Sequence, residues 1–174
     1  MKKYILFFAF LLIAFSTVFS QEYKAGIGLR GGWIGGVTAK YFISEGRALE
    51  GIFSSGWGWR GYQITGLYEI HKAAFTKDDV EGFCWFYGAG AHFGGGYRYE
   101  VWKHTGPGNS GYWENYRYSA FGIDGIFGLE YRIPDLPVTL ALDVKPFVEF
   151  SNYNGYPFRF WDGAFTIRYV FKGA

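Results

Sequence analysis

The stretch VTLALDVKPFVEF, residues 138–150, combines two opposite chemistries on alternate positions. Its even-numbered residues are valine, leucine and phenylalanine apart from Pro146, whereas its odd-numbered residues include Asp143, Lys145 and Glu149. Successive side chains of a β-strand point to opposite faces of the sheet. The stretch therefore predicts a strand with one apolar face and one charged face. Because an unpaired buried charge is very costly, the charged face requires either water or ion-pair partners.

The same alternation recurs eight times along the chain, with glycine-rich or polar turns between the segments. Segments of about ten residues have the length that a tilted strand needs to cross a bilayer core. The pattern predicts an all-β fold, namely a closed eight-stranded antiparallel up-and-down transmembrane β-barrel. Since proline cannot donate a hydrogen bond to the strand ladder, we expect a bulge or local irregularity at Pro146.

The amino terminus has the features of a secretory signal peptide. Residues 1–20 begin with Lys2 and Lys3, continue with twelve apolar residues and end on Ser20. Cleavage after Ser20 would leave residues 21–174 as one outer-membrane barrel domain. Without the two signal lysines, fifteen basic residues balance fifteen acidic ones. A neutral chain gives no electrostatic reason to expect nucleic acid as a partner.

Aromatic residues distinguish two kinds of eight-stranded barrel. In a soluble barrel of the lipocalin type the apolar face points inward around a ligand, whereas in an outer-membrane barrel it contacts lipid. On the apolar face, aliphatic residues such as Ile123 and Leu142 occupy strand middles, and Trp85, Tyr131 and Trp161 lie near strand ends. Aromatic belts at the two membrane interfaces produce this distribution. We therefore expect the bacterial cell outer membrane as the location.

The opposite face carries acids and bases in nearly equal number, and an eight-stranded barrel is only wide enough for its interior to be filled by side chains. Inward glycines such as Gly26, Gly122 and Gly128 would make room for long basic side chains. We thus predict a packed lumen whose charges form a structural network: Lys24, Arg30, Lys40, Glu50, Glu69, Asp124, Glu130, Arg132, Asp143, Lys145, Glu149, Asp162 and Arg168.

Two segments carry a resemblance to a known family: FGIDGIFGLEYRIPDLPVTLALDVKP, residues 121–146, and FWDGAFTIRYVF, residues 160–171. The chain resembles the small eight-stranded outer-membrane β-barrel proteins, the OmpX/OmpW-like group. The resemblance implies outer-membrane lipids and lipopolysaccharide as surroundings. It also implies the outer-membrane assembly machinery as a partner, because the aromatic terminal strand resembles that machinery's recognition signal. Family members range from adhesion and defence to small-molecule passage, so no single activity is implied.

One short motif raises an enzymatic alternative. The stretch EFSN, residues 149–152, resembles the His-x-Ser-Asn region of the outer-membrane lipid A deacylases, in which the histidine activates the serine. Here Glu149 takes the place of the histidine, and a carboxylate is a poor substitute as a base at neutral pH. We therefore expect no enzyme activity. The alternatives are a lipid A-modifying, deacylase-like barrel enzyme or a narrow passage for small solutes.

The histidines and the single cysteine predict neither a metal site nor another cofactor. We expect His71 in a turn, His92 facing the lumen and His104 in a long loop, so no metal-ligand spacing joins them. Cys84 has no second cysteine with which to form a disulfide.

The longest predicted connection is residues 99–117, which would be extracellular if the barrel begins in the periplasm. Loops of a rigid scaffold commonly carry binding residues. Its aromatic and basic residues are candidates for contact with an extracellular protein, a glycan or lipopolysaccharide, or alternatively anchor the barrel rim: Trp102, Lys103, His104, Tyr112, Trp113 and Tyr116. The sequence thus favours a non-enzymatic structural or surface-interaction role.

Overall fold

The structure is a computed structural model that describes residues 23–55, 60–74, 82–104, 111–151 and 158–171. The predicted signal peptide lies outside these ranges. Eight strands make up the fold: β1 (Ala25–Gly32), β2 (Gly36–Ser44), β3 (Arg47–Ser54), β4 (Arg60–Ala73), β5 (Phe83–His104), β6 (Gly111–Arg132), β7 (Val138–Ser151) and β8 (Phe158–Phe171).

Each strand pairs antiparallel with the next, and β8 pairs with β1 to close the barrel. At the closure Gly28 lies opposite Arg168, and on its other side Gly28 lies opposite Thr38 of β2. The prediction of an all-β, closed, eight-stranded, up-and-down barrel is therefore confirmed. Across the described ranges, no helix has the length and apolar character needed to cross a membrane.

The barrel has two distinct ends. One end, here called the turn end, holds the turn between β2 and β3. Gly46 in this turn has a φ of 69°, a left-handed conformation that suits a residue without Cβ. Its carbonyl oxygen accepts a hydrogen bond from the His71 amide at 2.8 Å. Residues 133–137 join β6 to β7 at the same end. At the opposite end, here called the loop end, β1, β3, β5 and β7 end and β2, β4, β6 and β8 begin.

The strand ladder is irregular at Pro146, as predicted. Lys145 pairs with Asp162, whereas Phe147 pairs with Arg159, so β8 contains an extra residue across from the proline. A bulge of this kind accommodates a residue that has no amide hydrogen to donate. The prediction of a local irregularity is confirmed.

The predicted loop at residues 99–117 is largely wrong. β5 continues to His104 and β6 begins at Gly111, so most of this segment is a two-stranded ribbon with Trp102 opposite Trp113. Aromatic residues favour strands, and in this segment their strand propensity prevails over the turn propensity of the glycines and asparagines. The binding candidates lie on this ribbon with their side chains outside the described part of the structure: Trp102, Lys103, His104, Tyr112, Trp113 and Tyr116.

The two faces of the wall have opposite chemistry. Ile123 and Leu142 point outward and are 58% and 61% exposed, whereas Lys40 and Arg168 point inward and are each 1% exposed. Soluble proteins bury charged residues rarely and apolar ones commonly, which is the reverse of this arrangement. The barrel is therefore apolar outside and charged inside.

Aromatic side chains form contacts on the outer surface near the turn end. The rings of Phe83 and Tyr131 lie 6.0 Å apart, and those of Trp85 and Tyr87 lie 5.3 Å apart in a stacked arrangement. Their strands end in the turns at this end of the barrel. The outer surface near the turn end thus carries a group of aromatic side chains.

Candidate functional site

The barrel interior is layered from the turn end toward the loop end. An apolar plug of Tyr23, Phe42, Ala48 and Val170 lies at the turn end. A first group of charges follows, which we call the lower cluster: Lys40, Glu50, Glu69, Glu130 and Arg168. An apolar layer contributed by five consecutive strands comes next: Ile52, Leu67, Phe86, Ile126 and Ala141. Beyond it is a second group, the upper cluster: Arg30, His92, Asp124, Asp143, Lys145, Glu149 and Asp162.

Lys40 is the centre of the lower cluster. Its Nζ lies 2.7 Å from a carboxylate oxygen of Glu69, 3.1 Å from Glu50 and 3.2 Å from Glu130. The same ammonium group stands 4.5 Å from the centre of the Phe86 ring. One buried cation thus contacts three buried carboxylates, and such groups are tolerated in the interior only because each of them is paired.

Arg168 links the same carboxylates from β8. Its Nη2 donates to Glu50 at 2.8 Å and its Nη1 donates to Glu130 at 2.9 Å. The hydroxyl of Thr38 donates to Glu50, and that of Tyr23 donates to Glu130. Charge-assisted hydrogen bonds are stronger than neutral ones, so these contacts fix β2, β3, β6, β8 and the segment before β1 to one another through the interior.

His71 borders the lower cluster on β4. Its Nε2 lies 2.9 Å from Glu69, and its Nδ1 lies 3.7 Å from the Sγ of Cys84. The imidazole stacks on Phe86 with ring centres 5.0 Å apart and meets the edge of Phe42 at the same separation. Contacts with two aromatic rings and at both nitrogens hold the imidazole in one orientation.

The upper cluster consists of two smaller groups. In the first, Arg30 donates to Asp143 at 2.8 Å and to Asp162 at 3.2 Å. These three residues come from β1, β7 and β8, so the group bridges the closure of the barrel.

The second group of the upper cluster is built around Asp124. This carboxylate accepts a hydrogen bond from Lys145 Nζ at 2.7 Å and lies 2.8 Å from His92 Nδ1. His92 Nε2 is 3.6 Å from Glu149, and the His92 ring meets the edge of Phe147 at 5.4 Å. The group therefore joins β5, β6 and β7.

The structure brings most of the predicted lumen charges together. Eleven form ion pairs: Arg30, Lys40, Glu50, Glu69, Asp124, Glu130, Asp143, Lys145, Glu149, Asp162 and Arg168. Arg132 is half-buried near the turn end.

Lys24 was predicted wrongly. It is exposed, with its Nζ 5.4 Å from the ring centre of Tyr41 on the outer face. The chain bends at Lys24 before β1 begins at Ala25, so the alternation of the strand does not extend to this residue. The same bend turns Tyr23, which the alternation assigns to the outer face, into the interior plug.

Three inward glycines leave space for large side chains. A Cβ at Gly26 would lie 2.7 Å from Cδ of Arg168, and a Cβ at Gly122 would lie 2.2 Å from Cε1 of His92. At Gly128 it would lie 2.5 Å from Cζ of Phe86. Such separations are too short for non-bonded carbon atoms, so glycine is needed at these points.

The contact between His71 and Cys84 was not predicted from the sequence. His71 lies within β4 rather than in a turn, and its Nδ1 faces the only cysteine of the chain. The sequence indicates an inward position for His71, because this residue continues the inward-facing alternation of Leu67 and Glu69. The polar residues that follow His71 led to the prediction of a turn instead.

The comparisons with known proteins identify no relative: no family model, no curated protein and no solved structure matches the chain. The resemblance to small outer-membrane barrels thus receives no support from them. In the EFSN motif, Glu149 is half-buried beside His92, and the side chain of Ser151 lies outside the described part of the structure.

Proposed function

We propose that the protein is an outer-membrane β-barrel with a packed, charged lumen and a non-enzymatic structural or surface-interaction role. The observation that carries the proposal is the inverted distribution of side chains, with Ile123 and Leu142 outside and Lys40 and Arg168 inside. Soluble monomers rarely expose large continuous apolar surfaces. In a bilayer, by contrast, an apolar exterior is the favourable one.

The closed sheet and the outer aromatic residues fit the same environment. A bilayer core offers no hydrogen bonds to the backbone, so spanning sheets must close, as this one does. β4, β7 and β8 each contain 14 residues, more than the roughly 9–11 that a tilted strand needs to span the core. Trp85, Tyr87 and Tyr131 near the turn end suit one membrane interface.

The filled interior supports a structural role over solute passage. Lys40 and Arg168 hold carboxylates from several strands across the lumen, and the apolar layer that contains Phe86 lies above them. A solute crossing the barrel would have to separate buried ion pairs, and each separation leaves a charge without compensation. We therefore propose that the barrel does not conduct.

The β5–β6 ribbon supports a surface-interaction role. β4 pairs with β5 as far as Tyr97, and β7 pairs with β6 as far as Ala120. Beyond these points the described chain has pairs between β5 and β6 only, such as Glu100 with Asn115. The five residues from Glu100 to His104 extend about 17 Å at 3.4 Å per residue. If the turn end faces the periplasm, the ribbon projects from the cell and presents its aromatic residues to outside partners.

Cell fractionation and lipid analysis test the proposal together. We expect the protein in the outer-membrane fraction, with a gel mobility that changes on boiling. The lipid A acyl pattern should be the same in deletion and overexpressing strains, and planar bilayers should show no stable single-channel currents. Recovery in the soluble periplasmic fraction would overturn the membrane assignment. A changed acyl pattern would instead support a deacylase-like enzyme, and stable currents a solute passage.

A further inference from the structure

Three side chains with different ligand atoms meet in the interior near the turn end. His71 on β4, Cys84 on β5 and Glu130 on β6 each offer one ligand atom, and these atoms all lie within 4.8 Å of one another. Cys84 and Glu130 are direct partners across the β5–β6 ladder. We propose that these three residues form a binding site for Zn²⁺ or a chemically similar divalent transition-metal ion.

His71 is oriented as a metal ligand would be. Its Nε2 is held by the Glu69 carboxylate at 2.9 Å, which places the ring proton there and leaves the lone pair on Nδ1. That lone pair faces Cys84 Sγ. Metal-binding histidines almost always pair their other nitrogen with a carboxylate, a carbonyl or water in this way. Phe86 and Phe42 fix the plane of the ring.

The distance between the two strongest ligand atoms fits a tetrahedral zinc ion. Bonds of about 2.3 Å to sulfur and 2.0–2.1 Å to nitrogen at the tetrahedral angle place these atoms about 3.6 Å apart. The observed separation between Cys84 Sγ and His71 Nδ1 is 3.7 Å. The ligand oxygen of Glu130 lies within 4.8 Å of both atoms, so it would need to approach by at most about 1 Å to complete the set, and water would take the fourth position.

The chemistry of the three residues favours zinc over calcium or magnesium. A thiolate, an imidazole and a carboxylate suit Zn²⁺, whereas Ca²⁺ and Mg²⁺ prefer oxygen ligands only. Binding requires the Cys84 thiol to release one proton to solvent. A zinc ion and the thiolate together add one positive charge beside the lower cluster. This charge is favourable there, because the cluster has three carboxylates and only two cations.

Cobalt spectroscopy of the unaltered protein is the deciding experiment. The full chain is folded in detergent, freed of metal and titrated with Co²⁺ alone. We expect near-ultraviolet absorption from thiolate-to-cobalt charge transfer and the visible bands of tetrahedral cobalt, saturating at one equivalent and removed by Zn²⁺. Because Cys84 is the only cysteine, the charge-transfer band reports this residue alone. Absence of that band at millimolar Co²⁺ would overturn the proposal.

Variants separate the ligands from their surroundings. Cys84→Ser should abolish the charge-transfer band, and His71→Gln should weaken Co²⁺ binding at least tenfold. Glu69→Gln should keep the band but weaken binding about 10–100-fold, since Glu69 positions His71 without touching the ion. The matched control is His92→Gln in the upper cluster, which should leave Co²⁺ affinity unchanged. Retention of full Co²⁺ affinity by His71→Gln would also overturn the proposal, as would an equal loss in His92→Gln.

Discussion

The lower and upper clusters differ in how their buried charges are paired. In the lower cluster, Lys40 contacts three carboxylates and Arg168 contacts two of the same three, so the charges form one network. The upper cluster is divided between Arg30 with its two aspartates and Lys145 with Asp124. Removing Lys40 disturbs three buried carboxylates, whereas removing Arg30 disturbs two. We therefore expect the lower cluster to contribute more to the stability of the barrel.

Both clusters contain buried polar atoms that lack a hydrogen-bond partner among the described residues, and in the lower cluster these are Oε1 of Glu69 and Nε of Arg168. One carboxylate oxygen of Asp143 and one of Asp162 are buried and lack a hydrogen-bond partner among the described residues. Glu149 at the edge of this cluster is only half-buried. The half-buried Glu149 places one edge of the upper cluster closer to water, which lowers the penalty for disturbing the cluster at that edge.

The largest effect should come from replacing the central lysine. Lys40→Met leaves Glu50 and Glu130 with Arg168 and leaves Glu69 with its contact to His71, and we expect the free energy of unfolding to fall by about 4–5 kcal/mol. Urea unfolding in phospholipid vesicles, followed by tryptophan fluorescence, measures the loss. Lys24→Met is the control, since Lys24 is exposed and its variant should unfold at the same urea concentration as the original protein. Equal midpoints for the two variants would contradict the network.

A smaller effect should follow from the corresponding change in the upper cluster. Arg30→Met removes the partner of Asp143 and Asp162, and we expect a loss of about 3 kcal/mol in the same unfolding measurement. The order of the two losses sharpens the comparison. If Arg30→Met destabilises the barrel more than Lys40→Met does, the upper cluster is the more important one and our interpretation is wrong.

The smallest effect tests steric rather than electrostatic packing. Gly122→Ala places a Cβ where His92 now lies, and we expect a loss of about 1–3 kcal/mol from overpacking. Gly51→Ala is the matched control on the outer face, where an added Cβ would meet nothing within 4 Å. A similar loss for the two alanine variants would show that strand propensity, and not contact with His92, sets the cost.

Alternation along the sequence was sufficient to predict the strands and their faces, because a side-chain period of two is a local property. It failed where the local geometry changes, as at Lys24, where a bend precedes β1. It also failed at residues 99–117, where turn-forming residues are interspersed among strand-forming aromatics. These failures have physical causes that lie outside the periodicity itself.

The ion-pair partners could not be predicted from the sequence. Arg30 and Asp143 are separated by 113 positions, and their contact depends on the register of every intervening strand and on the closure between β1 and β8. The contact between His71 and Cys84 likewise depends on the β4–β5 register. A sequence pattern shows which side chains face inward, but only the assembled barrel shows which of them meet.

Spin labelling at Ile123 tests the central claim most directly. In a Cys84→Ser background, Ile123→Cys carries a nitroxide on the outer face, and Ser44→Cys carries one at the exposed turn end. In phospholipid vesicles, we expect the label at Ile123 to collide with oxygen and to be shielded from a water-soluble nickel complex, with the reverse at Ser44. Equal nickel accessibility at the two positions, in a protein that stays dissolved without detergent, would contradict a lipid-facing exterior.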